Sequence, residues 1–383
     1  MRLIQFINLR RSQAAAKFHQ LMRTTIFNLF LLSSSVFAAP IFIGTGDKAI
    51  YLADFDAKTG KLTEPSVAAE YNGPGWIDFH PTKPILYSVG SPKAPFEDKT
   101  GAIAAFKIGD GNKLEFIGET SSGGKGPCHL VVDATGGTLA VANYGDGTTT
   151  TIKLSGDGSF DKIATTIIAS GNGPTDRQKT AHAHGVYFDK SNAFLLMPDL
   201  GVDKVLVFKF DAKTSEITPA EPLKTAPGAG PRHLAFSPDE KHAYVINELD
   251  NTIVAASYDG KGGLKEVQTV PTLPSDFSGR TSTSEIEVHQ NGKFVYGSNR
   301  GHDTIAVYAR DEKDGKLTLI QHAPCGGKNP RHFKIDPSGK WMIVGHQDSN
   351  TISVLPLDQA TGKLGEAVST VSAPKPICIL FGK

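Results

Sequence analysis

His184, Arg232, Glu248 and Arg300 offer an imidazole, a carboxylate and two guanidiniums. A guanidinium can hold a carboxylate or phosphate through two parallel hydrogen bonds, so two of them suit an anionic, oxygen-rich ligand. An imidazole or carboxylate beside them can take a proton from water or position the water. Together these groups can run a cofactor-independent reaction on a small anion. They also admit a bland reading, in which Glu248 and Arg300 form an ion pair between structural units and Arg232 and Arg331 belong to a shared Pro-Arg-His feature. His182 stands two positions before His184, and residues two apart on a strand point the same way. No third ligand follows at a fixed spacing, although Asp199 and Asp203 are near in sequence, so a hydrogen-bonding histidine pair is expected rather than a metal site. Asp199 and Asp303 read as turn residues. The chain lacks a G-x-S-x-G elbow, a Walker loop and H-E-x-x-H, which argues against serine acyl transfer, nucleotide use and zinc proteolysis. No metal or cofactor is expected.

The elements that position these residues repeat. A turn followed by two β-rich runs recurs as HPTKPILYSVG from His80, DATGGTLAVANYGDGTTTTIKL from Asp133 and DKSNAFLLMPDLGVDKVLVFKF from Asp189. It returns from Ser237, His289 and Asp336, at steps of 53, 56, 48, 52 and 47 residues. A period near fifty with several strands per unit is the signature of a β-propeller. A short strand precedes each phrase, in GPGWIDF, GPCHLVV, HAHGVYF, GPRHLAF, TSEIEV and NPRHFKI, and a seventh, KPICILF, ends the chain without a phrase. The matching phrase without its strand is PIFIGTGDKAIYLADF from Pro40. The fold expected is all-β: seven blades, with the two chain ends completing one blade and closing the ring, which hides sheet edges.

Registering the repeats produces two columns. The Arg232 position is held by Gly75, Cys128, His184, Arg232, Ser284, Arg331 and Ile377. A purely structural column would favour one residue type, and this one does not. The position after the corner asparagine is held by Ser91, Tyr144, Leu200, Glu248, Arg300 and Gln347. The asparagine column itself, Gly90, Asn143, Asp199, Asn247, Asn299 and His346, reads as structural, because such side chains close corners on nearby backbone. His184, Arg232, Glu248 and Arg300 are the expected catalytic set, and His182, Arg331, Tyr144 and Gln347 the expected substrate contacts.

The full chain of 383 residues carries 40 basic and 39 acidic side chains and 3 cysteines. That balance implies no basic face for nucleic acid, and three cysteines build no disulfide framework. Residues 1–23 hold five basic and no acidic side chains; TTIFNLFLLSSSVF follows from Thr24, and Val36-Phe37-Ala38 has a cleavage pattern. These are the parts of a secretory leader over 1–38, with 39–383 as one propeller domain. Its removal leaves 35 basic against 39 acidic side chains, a net charge of −4. No other apolar run reaches membrane length, so an exported protein without a membrane partner, most simply periplasmic, is expected.

GPCHLVVDATGGTLAVANYGDGT, AHAHGVYFD, GPRHLAFSPDEKHAYVINEL, SEIEVHQNGKFVYGSNRGHDTIAVY and NPRHFKIDPSGKWMIVGHQDSNTISV resemble the lactonase-type seven-bladed propellers, from about Pro40 to Phe381. That family includes bacterial 6-phosphogluconolactonases and fungal 3-carboxy-cis,cis-muconate lactonising enzymes. The resemblance implies opening of a small, anionic or sugar-derived lactone to its hydroxy acid. It also implies a histidine, two arginines and a glutamate at His184 of HAHGV, Arg232 of GPRHL, Glu248 of INEL and Arg300 of SNRG. Either Glu248 or His184 could serve as base. A muconate-type cycloisomerisation and a non-catalytic binding platform use the same residues. The leader departs from the phosphogluconolactonases, whose reaction belongs to cytoplasmic sugar metabolism, and leaves open an unphosphorylated aldonolactone or another small lactone.

Overall fold

A computed structural model describes residues 38–382. The expected leader lies outside the described residues, but for the backbone of Ala38, which opens the first strand, Ala38–Thr45. Seven antiparallel sheets follow one another around a ring. We number the blades by their innermost strands. Pro376–Phe381 belongs to blade 1, Ile77–Phe79 to blade 2 and Pro127–Val132 to blade 3. Tyr187–Phe188 belongs to blade 4, Pro231–Phe236 to blade 5, Ser282–Val288 to blade 6 and Pro330–Ile335 to blade 7. These are the seven short strands expected from the repeats. Blade 1 is made from both ends of the chain, with Ile41 opposite Phe381 and Ile43 opposite Ile379.

Sequence pattern and burial agree along each blade. Second strands such as Thr138–Asn143 and His242–Asn247 are buried at every position, because both sheet faces pack on neighbouring blades. Outer strands such as Leu264–Pro271 are largely exposed or half-buried. The core therefore lies between blades. One cluster joins Tyr296 and Val307 of blade 6 to Phe333, Met342 and Leu355 of blade 7. Tyrosines add a directed link: the hydroxyls of Tyr244 and Tyr296 each donate to a turn carbonyl in the next blade, Gly315 and Gly362 respectively, at 2.9 Å.

Five of the seven innermost strands share one irregularity. Pro231 pairs with Asn247 and His233 with Ile246, so Arg232 is an extra residue on its strand. Cys128, Arg331 and Ile377 are extra in the same way. In blade 6 the extra residue falls between Thr283 and Ile286, at Ser284 and Glu285. A β-bulge redirects the side chain it carries. Here it turns the column residue, with its successor, away from the blade-to-blade core.

The corner asparagines are structural. Asn143 Nδ2 donates to the Ser122 and Thr148 carbonyls, and Asn299 Nδ2 donates to the Thr272 carbonyl. Each ties its corner to the end of the preceding blade. His346 takes the same place, with Nε2 2.9 Å from the Cys325 carbonyl. Asp199 accepts the His182 and Gly201 amides and Asp303 accepts those of Gly301 and Asn329. All three cysteines are free. No helix among the described residues is long and apolar enough to cross a membrane.

Candidate active site

A cavity of about 190 Å³ opens among the residues of the asymmetric column. Gly75, Cys128, His184, Arg232, Arg331 and Ile377 line it, together with Trp76, His233 and four further residues. Six of the seven members of the asymmetric column thus face one space. The seventh, Ser284, links two of the others: its carbonyl accepts Arg232 Nη1 at 2.9 Å, and its hydroxyl donates to the Arg331 carbonyl at 2.6 Å.

Glu248 is the electrostatic centre. Its carboxylate is almost fully buried and meets three guanidiniums. Oε2 lies 3.2 Å from Arg232 Nε and 3.0 Å from Arg300 Nη2, and Oε1 lies 3.1 Å from Arg177 Nη2. His184 Nε2 stands 3.8 Å from Oε2. Burial alone would raise the Glu248 pKa, but Arg300, Arg232, His184 and Arg177 together outweigh it and hold the carboxyl well below its usual range. Such a carboxylate is a poor proton acceptor. Burial, and then Arg232 and His233, hold His184 well below its usual range, so its imidazole is neutral near pH 7. A neutral imidazole can accept a proton, and Glu248 lies where it would stabilise an imidazolium.

Arg300 is fixed twice over. Its Nε and Nη2 also donate to the Thr283 carbonyl, at 3.2 and 2.6 Å. The chain then turns at Gly301, with φ of +88°, where a Cβ would come within 2.3 Å of the Arg280 carbonyl.

Beneath this layer the residues that follow Gly75, Cys128, Arg232, Ser284 and Arg331 form a floor. The Trp76 ring lies 4.0 Å from that of His129, 5.3 Å from His233 and 5.1 Å from His332. Arg232 Nη1 donates to His233 Nε2 at 3.1 Å, which leaves His233 Nδ1–H to donate to Glu285 Oε2 at 3.0 Å. His332 accepts the Ile379 amide on Nδ1 and presents Nε2 to the same Glu285 oxygen at 3.5 Å. Burial holds His129 and His233 well below their usual range and brings His332 down to about 4. Buried neutral rings, with the donors of His233 and His332 set by these partners, make a rigid support for Arg232.

The expected ligand contacts divide. Arg331 lines the cavity. Tyr144 accepts Arg177 Nη2 on its hydroxyl at 2.8 Å and stands at the edge of the cluster. His182 does not line the cavity. It stacks on Tyr144 with centroids 4.5 Å apart and donates from Nδ1 to the Tyr144 carbonyl at 2.7 Å, so it braces that residue. Gln347 is half-buried beyond the cavity lining. Among the described residues no three His, Cys, Asp or Glu side chains are grouped to hold a metal.

Arg177 escapes the repeat reading because it lies outside the repeats, in the long connection before blade 4. Its neighbour Gln178 is the anchor: fully buried, it donates to the Leu200 carbonyl at 2.9 Å and to Asp203 Oδ1 at 2.6 Å. The charged floor residue Glu285 was not singled out from the sequence, although it directly follows Ser284 of the column.

The fold and this cluster define a propeller in which one buried carboxylate, held among guanidiniums, stands beside the cavity. The model of the lactonase family, described as a 7-bladed beta-propeller, matches residues 40–381, and the chain belongs to that family. A 6-phosphogluconolactonase of Bacillus subtilis is 34% identical over 346 residues, covering 89% of this chain and 97% of the relative. A 6-phosphogluconolactonase of Formosa agariphila is 34% identical over 328 residues, covering 84% and 91%. The solved structure of a periplasmic gluconolactonase of Pseudomonas aeruginosa superposes with a TM-score of 0.83 at 26% identity, covering 90% of this chain and 99% of that one.

Proposed function

We propose that the protein hydrolyses a sugar lactone to its open hydroxy acid, with His184 as the general base. The observation that carries this reading is the position of His184. It is a neutral imidazole on the cavity wall, with Nε2 3.8 Å from a carboxylate that three guanidiniums keep ionised. Water attacks the ring carbonyl carbon and gives its proton to His184. The carbonyl π pair moves onto oxygen. The tetrahedral species then collapses, the ring C–O bond breaks, and the leaving oxygen takes the proton back from the imidazolium. Glu248 stabilises the imidazolium throughout. Arg232, Arg300 and Arg177 hold Glu248 in place, and Cys128 with Trp76 closes the cavity wall.

The substrate we favour is an unphosphorylated aldonolactone met outside the cytoplasm. Support comes from the basic and apolar leader pattern of residues 1–38 and from the periplasmic gluconolactonase of similar fold. Acid release by the purified protein is followed on glucono-δ-lactone and 6-phosphoglucono-δ-lactone, with the spontaneous rate subtracted and His184→Asn run beside it. Turnover that falls by about 10²–10⁴-fold in the variant is expected. A folded wild-type protein that releases no acid above background from either lactone would point instead to a binding platform. Recovery from the periplasmic fraction of a chain beginning at Ala39 is expected from export.

A further inference from the structure

Arg232, Ser284 and Arg331 occupy equivalent bulges in three successive blades, yet the two arginines are used differently. Arg232 spends Nε on Glu248 and Nη1 on the Ser284 carbonyl and His233. Arg300 spends Nε and Nη2 on Glu248 and the Thr283 carbonyl. Arg331 lines the cavity with nothing to hold. Its Nε is buried without a hydrogen-bond partner, and among the described residues its guanidinium takes part in no ion pair. An unpaired buried donor of this kind costs free energy that a structural role would not require. Burial, with Arg232 and Arg300 near by, brings its pKa down to about 9, so it stays cationic at neutral pH. The backbone that carries it is fixed, because the Ser284 hydroxyl donates to the Arg331 carbonyl at 2.6 Å.

Taking the lactone-hydrolysis reading as its basis, we infer that Arg331 is the oxyanion-binding residue of the site. Its free N–H donors meet the lactone carbonyl oxygen as that oxygen becomes negative, and then hold the carboxylate of the hydroxy acid product. Arg232 and Arg300, the two guanidiniums expected from the sequence to suit an anionic ligand, instead fix Glu248. The developing charge is small and planar in the product, which matches the fork of a guanidinium. A preformed donor that pays its desolvation cost before substrate arrives is the arrangement that favours a transition state over a ground state.

Arg331→Met and Arg331→Lys test this. On glucono-δ-lactone the methionine variant should lose about 10²–10³-fold in kcat, with little change in KM and the same loss on 6-phosphoglucono-δ-lactone. Its thermal midpoint should be unchanged or higher, since an unpaired, partly buried charge is removed. The lysine variant should recover part of the rate. A rise in KM confined to the phosphorylated lactone, with kcat kept, would overturn the assignment by placing Arg331 on the substituent. A midpoint that falls together with activity would overturn it by making the residue structural. Titration with gluconate separates this inference from the reading beneath it. Gluconate binding that disappears in Arg331→Met supports the carboxylate site even where no lactone is turned over. Equal binding by both proteins, or none by the wild type, overturns it.

Discussion

Arg232 Nε lies 3.2 Å from Glu248 Oε2 within a single blade. The two residues follow Pro231 and Asn247, which face each other across adjacent strands, so strand register alone delivers this contact. Arg300 reaches the same carboxylate oxygen from the next blade, and Arg177 reaches the other oxygen from a connection outside the repeats. One carboxylate therefore ties together three parts of the ring.

Replacing that carboxylate should damage stability as well as turnover. In Glu248→Gln, Arg232 and Arg300 remain buried without their counter-ion. Breaking such a pair from one side costs about 3–5 kcal/mol. Denaturant unfolding should show a loss of this size, and kcat/KM should fall by about 10²-fold or more. Adding Arg300→Met should restore part of the stability and none of the activity. A Glu248→Gln protein as stable as the wild type would contradict the burial and pairing described for this group.

The pH profile reads His184 directly. A base works when neutral, and burial with the neighbouring guanidinium of Arg232 holds this imidazole well below its usual 6.5. The acid limb of kcat/KM should therefore fall below pH 6.5, with a flat profile through neutrality. Arg177 is the one cation of the cluster with a half-exposed side chain, 54% against 3% for Arg232. Removing a nearby positive charge favours the imidazolium. Arg177→Ala should move the acid limb to higher pH and, because it takes one of three counter-ions from a buried carboxylate, lower stability by less than Glu248→Gln does. An acid limb that does not move would separate Arg177 from the base.

The ring, its closure and the column around Arg232 were legible in the sequence because a propeller repeats a register, and register is written in turn residues and strand length. The same register placed His184, Arg232, Glu248 and Arg300 together. It could not separate their tasks, since whether a guanidinium is spent or free depends on partners from other blades. Arg177 was illegible for a different reason: its place depends on buried Gln178 bonding to Leu200 and Asp203, a contact without periodicity. His182 illustrates the opposite failure. Strand alternation aligned it with His184, but its nearest partner is Tyr144 from the previous blade.

His332 should leave a mark on the pH dependence of stability. Burial brings its pKa down to about 4, from 6.5 in an unfolded chain. Between those values the unfolded state binds the proton and the native state does not. Its contribution is complete above pH 6.5 and is lost progressively as pH falls toward 4, at up to about 1.4 kcal/mol per pH unit. His332→Gln, which keeps a donor for Glu285, should flatten the acid side of the stability curve by that slope. Urea unfolding at half-unit pH steps measures it, and superimposable curves would refute the assignment.

The three thiols should be inert in the native protein. Burial pushes Cys128, Cys325 and Cys378 each up to about 12, and the thiolate is the reactive form. A disulfide-exchange reagent at pH 8 should label none of them on the timescale on which free cysteine reacts, and all three after unfolding in denaturant. Rapid labelling of Cys128, which lines the cavity, would show that its environment is less apolar than its surroundings here imply.

Closure by the two chain ends makes the last strand a condition of folding. Pro376–Phe381 is the innermost strand of blade 1 and packs its Cys378 and Ile379, both buried, between blades. Without it, Ile41 and Ile43, now fully buried, would face solvent on an unpaired edge. That edge would also expose the core cluster they share with Ile343 and Val354 of blade 7. Fully burying one such side chain is worth about 1.5–3 kcal/mol, so losing four or five of them matches the whole stability of an ordinary domain, about 5–15 kcal/mol. Truncation before Pro376 should therefore give an aggregated or unfolded chain by circular dichroism and size-exclusion chromatography. Removing only Lys383, which follows the strand, should leave the unfolding midpoint unchanged. A soluble, cooperative ring without residues 376–383 would mean that the other six blades hold the propeller closed by themselves.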